Sequence, residues 1–377
     1  MKSFLTSICA LLVLQLGAQI PGYYDDVDLT LTGLELRDAL SAKLQNSTFI
    51  PYTASGTFDT WDALRICDEN PDNSSEVLMV YGWAEGSGGD ATKDRSRGKF
   101  QNGNGPGLWN REHVFPRSRA VPVLTVQLPG PGTDFHNLRP CDVETNTLRS
   151  NLKFVAGSGN SGIVGEGWYP GDEWKGDVAR MVMYMYLRYN GNGSSVEQTR
   201  CLPTATAMGS TTSIDPNMVE VLLQWNAEDP VSDIELARND LSEIHQSNRN
   251  PFIDNPVLAT LIWGGPEAED TWGLLGETVD PSTFQFELDA LILSNGVLLT
   301  WNTLPNSAAC QVRGGPLGGN DPVSQNLIGN EVGSFFVPQG QLKVGNSYQW
   351  RVRCALQTSP PDGVTPFSDY HTFTYSP

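Results

Sequence analysis

Histidine is scarce in this sequence, with four in 377 residues, and basic residues are outnumbered by acidic ones, 24 to 43. The formal net charge of -19 argues by itself against a polyanionic partner. None of the six cysteines has the short paired spacing of a zinc knuckle. Apart from residues 4–16, no stretch approaches the roughly 20 apolar residues that a membrane span needs. These absences exclude a membrane-spanning protein and a zinc finger of that type.

The N-terminus predicts export. Lys2 precedes the apolar run of residues 4–16, and Gly17 and Ala18 follow it, which is the pattern of a secretory signal peptide. We expect residues 1–19 to be removed and the mature protein to be secreted or periplasmic.

Five cysteines remain once Cys9 is lost, so at least one thiol stays unpaired or pairs with another chain. Cys310 and Cys354 lie in strand-like runs and are the best candidates for a disulfide. Two buried thiols at these positions are the alternative.

Residues 20–265 are predicted to form one mainly helical domain. A stretch rich in Gly, Asn and Ser, residues 86–107, predicts a long exposed loop within it. Apolar periodicity and capping signals predict helices at Leu29–Leu44, around Trp61–Ile66, after Asp177, after Asp215-Pro216, and from the capping box Ser232-x-x-Glu235 to about Ile244.

Residues 266–280 are predicted to be a linker, and residues 281–377 a small all-β domain. Gly, Pro and Asn turns separate its β-favouring runs, a spacing typical of a β-sandwich. The runs are Phe284–Leu288, Val297–Trp301, Ala309–Arg313, Ser334–Val337, Tyr348–Cys354 and His371–Tyr375. The predicted fold class is α+β.

One stretch of the sequence has a net charge opposite in sign to that of the remaining chain. Between Lys93 and Lys153 lie ten basic and five acidic residues, a net charge of +5 in an acidic chain. If this basic island folds into one surface, the positive field of that surface would attract a negatively charged phosphate backbone. Scattered, solvated charge is the alternative.

The basic island also contains the groups that hydrolysis of a phosphodiester requires: a proton acceptor, a charge-neutralising group and donors for the leaving oxygen. Two of the four histidines, His113 and His136, lie in it. His113 follows Glu112, and neighbouring residues of a regular strand point to opposite faces. A shared site therefore requires the strand to end or bend there, which Pro116 favours.

Beyond Pro140, the sequence from Asp142 predicts a helix that presents Asn146 and Arg149 on one stripe. The local order is thus strand, loop, strand, helix. Oxygen ligands from Glu112 and Asn146 suit Mg²⁺ or Ca²⁺ better than zinc. His136 is better suited to orienting the site than to attacking water, although chemistry alone leaves it as an alternative base.

Six segments carry a resemblance to a known family. In their order along the chain they resemble the bacterial endonuclease I family, secreted or periplasmic nucleases with a His-Me finger (ββα-metal) site, over about residues 22–265. The segments are Asn110-Arg-Glu-His-Val-Phe-Pro-Arg-Ser118, Asp134-Phe-His-Asn-Leu-Arg-Pro140, Asn146 with Arg149-Ser-Asn151, Gly176-Asp-Val-Ala-Arg180, Asp229-Pro-Val-Ser-Asp233 and Asn248-Arg-Asn-Pro-Phe-Ile-Asp254.

The resemblance implies a one-metal endonuclease. His113 would be the general base for water, and Glu112 and Asn146 would hold one divalent ion, Mg²⁺ with Ca²⁺ or Mn²⁺ as alternatives. The ion would stabilise the leaving 3′ oxygen, which gives 5′-phosphate ends. An arginine should contact the phosphate, but no single position matches. The candidates for contacts with nucleic acid are Arg117, Arg139 and Arg149, with Arg119 also open.

The expected function is thus sequence-nonspecific cleavage of DNA, with RNA as a second substrate. The C-terminal domain resembles a fibronectin type III domain, through Trp301 and the Tyr348-x-Trp-x-Val-x-Cys354 strand, and is expected to bind a surface, a glycan or a protein. The main alternative is a non-catalytic secreted binding protein that keeps the nuclease fold. A metal-dependent phosphatase acting on small phosphoesters is a second.

Overall fold

A computed structural model describes residues 20–86, 89–191, 198–275, 283–302, 307–328, 333–356 and 364–377. The chain divides between Leu274 and Leu275 into two compact units, which we name the large unit and the small unit. The expected signal peptide lies outside the described residues. Among the described residues, no helix is both long and apolar enough to cross a membrane.

Helices occur in the large unit, and the described ranges contain nine of them. They are α1 Gly33–Leu44, α2 Thr60–Cys67, α3 Val143–Arg149, α4 Lys175–Arg188, α5 Pro203–Thr206, α6 Glu220–Glu228, α7 Asp233–Gln246, α8 Pro251–Asp254 and α9 Val257–Trp263.

Strands occur in both units. Those of the large unit are β1 Glu69–Asn70, β2 Asn73–Leu78, β3 Ser96–Gly98, β4 Trp109–His113, β5 Leu138–Asp142, β6 Gly162–Val164 and β7 Gly167–Tyr169. Those of the small unit are β8 Leu288–Leu293, β9 Gly296–Trp301, β10 Ser307–Pro316, β11 Val323–Ile328, β12 Ser334–Pro338, β13 Ser347–Leu356 and β14 His371–Thr374. Together the helices and antiparallel sheets make the chain α+β, as predicted.

Helix α4 lies at the centre of the large unit, because every residue from Gly176 to Arg188 is buried. It packs against α1, α6 and α8. The helix begins slightly earlier than predicted, since Asp177 lies within the first turn instead of capping it. The Asp177 carboxylate instead accepts a hydrogen bond of 2.8 Å from Arg139.

Two further predictions in the large unit need correction. Helix α6 begins at Glu220, not at Asp215-Pro216. The Asp215 carboxylate is buried and accepts hydrogen bonds from the Tyr186 hydroxyl (2.7 Å) and the Trp263 indole (3.3 Å), so it fastens an irregular segment to the core.

The predicted loop of residues 86–107 is interrupted by β3, which pairs with β2. The capping box at Ser232 is present as predicted and starts α7.

The described residues of the small unit form two antiparallel sheets, with strand orders β11-β10-β13-β14 and β12-β9-β8. Buried residues of both sheets form one apolar core, which includes Leu299 of β9 and Val352 of β13. Cys310 and Cys354 lie directly opposite each other on β10 and β13 and form a disulfide. The sequence had not indicated β11, and β8 begins where the predicted run Phe284–Leu288 ends.

Candidate active site

The candidate site is built by β4, β5 and α3. Strands β4 and β5 are antiparallel, with Glu112 opposite Arg139 and His113 opposite Leu138. Helix α3 follows β5 directly because the Asp142 side chain accepts hydrogen bonds from the backbone N–H groups of Glu144 (2.9 Å) and Thr145 (3.0 Å). The predicted order of strand, loop, strand and helix is therefore observed.

The two faces of β4 carry different groups. On one face, Asn110 accepts a hydrogen bond from Asn146 of α3 (2.7 Å), and Glu112 pairs with Arg149 of the same helix (3.1 Å). On the other face, His113 stacks on Tyr52 with ring centroids 5.8 Å apart. The strand stays regular through His113, so Glu112 and His113 point to opposite sides and do not share one face.

Glu112 is buried beside two donors. The Tyr81 hydroxyl and the Arg149 guanidinium each lie 3.1 Å from the same carboxylate oxygen, Oε1. Burial raises the pKa of Glu112 to about 7, against the opposing effect of Arg149. Neither of these two side-chain donors engages Oε2.

The imidazole of His113 is held in one orientation by the loop between β4 and β5. Its Nε2 lies 2.8 Å from the carbonyl oxygen of Gly132. A carbonyl can only accept, so Nε2 carries the hydrogen and, in the neutral ring, Nδ1 keeps its lone pair. Burial lowers the pKa of His113 to about 4, which keeps the ring neutral near pH 7. The arrangement is that of a proton acceptor.

Glycine is required at position 132 for this contact. A Cβ there would lie 2.0 Å from the Thr125 carbonyl oxygen, which is backbone and cannot move aside cheaply. Two residues further on, the buried Asp134 carboxylate accepts hydrogen bonds from Tyr189 (2.7 Å) and Arg188 (2.6 Å) of the α4 region. The central helix thus fixes the loop that orients His113.

His136 is turned toward the protein interior. Its Nε2 lies 3.3 Å from the Asn248 carbonyl, and its ring packs against Tyr184 with centroids 4.4 Å apart. Burial lowers its pKa to about 4. These contacts hold the ring in the interior, and the orienting role of His136 stays a prediction.

Two of the predicted arginine contacts do not fit this geometry. Arg139 is 1% exposed and lies between Asp68 (2.7 Å) and Asp177 (2.8 Å), so its guanidinium braces the core and does not reach a ligand. Arg149 is fully buried, pairs with Glu112 and donates to the carbonyls of His113 (3.2 Å) and Val114 (2.7 Å). We therefore correct both assignments: Arg139 supports the fold, and Arg149 holds β4 and Glu112 in place.

Most of the basic island is neutralised. Six of its cations form ion pairs, and among the described residues the other four have no carboxylate within ion-pair distance. The paired cations are Lys93, Arg95, Arg97, Lys99, Arg139 and Arg149. The unpaired ones are Arg111, Arg117, Arg119 and Lys153.

Two of the unpaired arginines lie near the imidazole, since Arg117 and Arg111 both act on the charge of His113. Arg117 is partly exposed and donates from Nε to the Leu124 carbonyl (2.8 Å). Arg111 stacks between Tyr52 (3.4 Å) and Trp61 (3.9 Å). The sequence reasoning missed Arg111, although its position two residues before His113 on the same strand places it on the same face.

The oxygen donors present fit a hard divalent ion. Oε2 of Glu112 and the amide oxygen of Asn146 lie on the α3 side of β4, and Mg²⁺ is commonly held by one or two protein oxygens plus water and phosphate. No group of three or more His, Cys, Asp or Glu residues is placed to hold a metal within the described ranges. A site with a full set of protein ligands, such as structural zinc, therefore has no support there.

Comparison with known proteins places this α+β chain in the class of the nucleases. The family model for endonuclease I matches residues 32–257, more than half of the sequence. The chain belongs to the endonuclease I family.

Two relatives are extracellular ribonucleases. The one from Bacillus subtilis is 36% identical over 249 residues, which cover 64% of this chain and 78% of the relative. The one from Bacillus amyloliquefaciens is 38% identical over 240 residues, covering 62% and 75%. Among solved structures, the fibronectin type III domain of human contactin 1 matches 24% of this chain and 74% of its own at 15% identity, with a TM-score of 0.20. A score at this level carries no argument about the fold.

Proposed function

We propose that this protein is an exported endonuclease that hydrolyses phosphodiester bonds of DNA and RNA with one divalent ion. The observation that carries the proposal is the orientation of His113, whose Nε2 is engaged by Gly132 so that Nδ1 is left as the proton acceptor. The runner-up, a binding protein that keeps the fold, requires no such orientation.

Glu112 and His113 face opposite sides of β4, but the strand ends at His113, so both side chains would reach one phosphate bound at that end. In an in-line displacement, the attacking water and the departing oxygen lie on opposite sides of the phosphorus. His113 on one face would take the proton from water. Glu112 and Asn146, on the other face, would hold the divalent ion, which when bound supplies charge for the departing oxygen. Arg149 keeps Glu112 in place for this role.

Phosphate contacts are assigned to Arg117 and Arg111. Both act on the charge of His113, and neither has a carboxylate partner in the described part of the chain. A guanidinium that is not already neutralised is free to meet a phosphate oxygen. Arg117 is partly exposed, and the one contact of its Nε is with the Leu124 carbonyl, so we take it as the first candidate.

Water as the nucleophile makes the ribose 2′ hydroxyl unnecessary, so DNA and RNA should both be cleaved, with 5′-phosphate ends. The names of the two Bacillus relatives support RNA as a substrate and export as the destination. The disulfide between Cys310 and Cys354 supports an oxidising compartment as well. Contacts from arginines to phosphate oxygens do not depend on the bases, which favours cleavage without sequence preference.

A plasmid-nicking assay tests the proposal. The parent protein should nick plasmid DNA and degrade a structureless RNA in Mg²⁺, and EDTA should abolish both activities. His113→Ala should lower both rates about 10²- to 10⁴-fold. Cleavage that survives EDTA or the substitution would contradict the mechanism.

The two alternatives predict different results. A binding protein would show no metal-dependent cleavage above the His113→Ala variant. A phosphatase would hydrolyse a nitrophenyl phosphate monoester faster than duplex DNA. We expect the polymer to be the better substrate by a wide margin.

The small unit is proposed to be a β-sandwich of the fibronectin type III kind. Its support is the arrangement of seven described strands in two antiparallel sheets around one apolar core.

The ββα arrangement of β4, β5 and α3 is likewise proposed to be the His-Me finger. Substitution of Asn146 by Ala, with a loss of Mg²⁺ response, is the test of that second assignment.

A further inference from the structure

The outer surface of β10 and β13 gathers the arginines of the small unit. Alternate residues of these strands are buried, among them Cys310, Val312 and Val352, so the residues between them face outward. From residue 275 onward the sequence contains eight acidic and four basic residues, and three of the basic ones are arginines. All three, Arg313, Arg351 and Arg353, lie on this outward surface.

Their geometry brings like charges together. Arg313 lies directly opposite Arg351 in the antiparallel pair. The three guanidiniums surround the ring of Phe367, at 5.2 Å from Arg313 and 4.6 Å from each of Arg351 and Arg353. Tyr370, 43% exposed, lies 4.7 Å from Arg351. We name this surface the arginine face: Arg313, Arg351, Arg353, Phe367 and Tyr370.

Among the described residues, only part of this charge is balanced by carboxylates. Arg351 donates to Asp321 through two nitrogens (3.2 and 2.9 Å). Arg313 and Arg353 have no carboxylate within ion-pair distance in the part of the chain that the structure describes. The Nε of Arg313 is buried and lacks a hydrogen-bond partner there. Arg353 makes one neutral contact, from Nε to Gln311 (3.2 Å).

Folding alone does not favour this arrangement. Like charges directly opposite on neighbouring strands destabilise a sheet, and a contact with an aromatic ring offsets only part of that. The acidic residues of the unit are numerous enough to have paired with each arginine. An anion that binds from outside would supply the missing partners, and the grouping of cations with rings is the pattern of surfaces that track nucleic-acid strands.

We propose that the arginine face is a second nucleic-acid-binding site, which holds the phosphate backbone through Arg313 and Arg353. The proposal rests on the proposed function, because it takes the ligand to be the same class of molecule that the large unit cleaves. Binding by one unit raises the effective concentration of the strand near the other. Sulfated glycans offer a related anionic chemistry, and the test separates them from nucleic acid.

The test measures binding of a fluorescein-labelled single-stranded oligonucleotide by fluorescence anisotropy. The full chain with His113→Ala is used in EDTA, so that the probe is not cleaved. Arg313→Gln and Arg353→Gln are compared with Lys343→Gln, which removes the fourth cation of the unit from outside the arginine face. Each arginine variant should lower the slope of log affinity against log salt by about 0.7, or about fivefold in affinity at about 0.1 M salt. Lys343→Gln should bind like the parent.

Equal binding by the arginine variants and Lys343→Gln would overturn the proposal. So would loss of heparin binding with unchanged nucleic-acid binding, which would assign the face to a glycan. Arg353→Lys should retain affinity, which separates lost charge from lost folding.

Cleavage by the His113-containing parent is measured in parallel. If the parent cleaves but the arginine variants bind normally, only this proposal fails. If binding depends on the arginines but the parent never cleaves, the proposed function fails alone.

Discussion

In the large unit, Arg139, Arg180 and Arg238 are buried against carboxylates, whereas in the small unit Arg313 and Arg353 face outward and have none within ion-pair distance among the described residues. The core of the small unit is apolar and contains a disulfide, while the large unit has charged side chains beneath its candidate site. The number of arginines in a segment is therefore a poor guide to its ligand. What matters is whether each guanidinium already has a partner.

The largest effect should come from breaking one of the buried pairs. Arg139→Ala would remove the cation that Asp68 and Asp177 share, leaving Asp68 with Arg238 alone and Asp177 with Arg180 at 3.9 Å. It should lower the free energy of unfolding of the large unit by about 3–5 kcal/mol. Denaturant unfolding of the parent and the variant measures this. Arg353→Ala, on the outward surface, should change stability by no more than about 0.5 kcal/mol. A stable Arg139→Ala protein with weakened nucleic-acid binding would restore Arg139 as a phosphate contact.

A somewhat smaller effect is expected from the disulfide. Cys310 and Cys354 are separated by 44 residues, and replacing both by Ala should destabilise the small unit by about 2–4 kcal/mol. Scanning calorimetry should show that the transition of the small unit moves down while that of the large unit stays. A shift of both transitions together would mean that the two units do not unfold independently.

Arg117 tests the other side of the comparison, because it is an arginine of the large unit with no carboxylate within ion-pair distance in the described ranges. Arg117→Gln should lower kcat/KM for plasmid cleavage about tenfold, which corresponds to about 1.4 kcal/mol, with unfolding unchanged. Arg95→Gln is the matched control, because Arg95 belongs to the same basic island but is paired with Glu173. Equal losses in the two variants would show that net charge, not position, governs activity.

The last effect is gradual, because it is spread over several pH units. Burial lowers the pKa of His136 to about 4, below its value in the unfolded chain of about 6.5. The unfolded state therefore binds the proton first as pH falls, and the large unit should lose stability from about pH 6.5 down to about pH 4, by at most about 1.4 kcal/mol per pH unit from this group. His136→Gln should flatten the dependence. His371→Gln, in the small unit, should leave it as in the parent.

Local patterns predicted much of the fold. The apolar periodicity of α4, the capping box of α7 and five of the six β-favouring runs of the small unit were correctly placed because their signals lie within a few residues. A predicted helix boundary was wrong where a side chain has a hydrogen-bond partner far away in the sequence. The sequence Asp215-Pro216 is typical of a helix start, but the Asp215 carboxylate accepts hydrogen bonds from Tyr186 and Trp263, which lie on other helices.

The candidate site was predicted in part for the same reason. Glu112, His113 and Asn146 could be singled out from their motif, and Arg111 could have been found from strand alternation. Tyr81, which donates to Glu112, has no local signal. The pairing of Arg139 with Asp68 joins segments far apart in the sequence, so its burial could not be deduced from the basic island itself.

The central claim, that His113 accepts the proton from water, is tested most directly by chemical rescue. Cleavage of plasmid DNA by His113→Ala is measured with and without added imidazole, beside Glu112→Gln as the control. The account predicts that imidazole restores a large part of the rate of His113→Ala and has no effect on Glu112→Gln. Absence of rescue in a folded, DNA-binding His113→Ala protein, or equal stimulation of both variants, would contradict it.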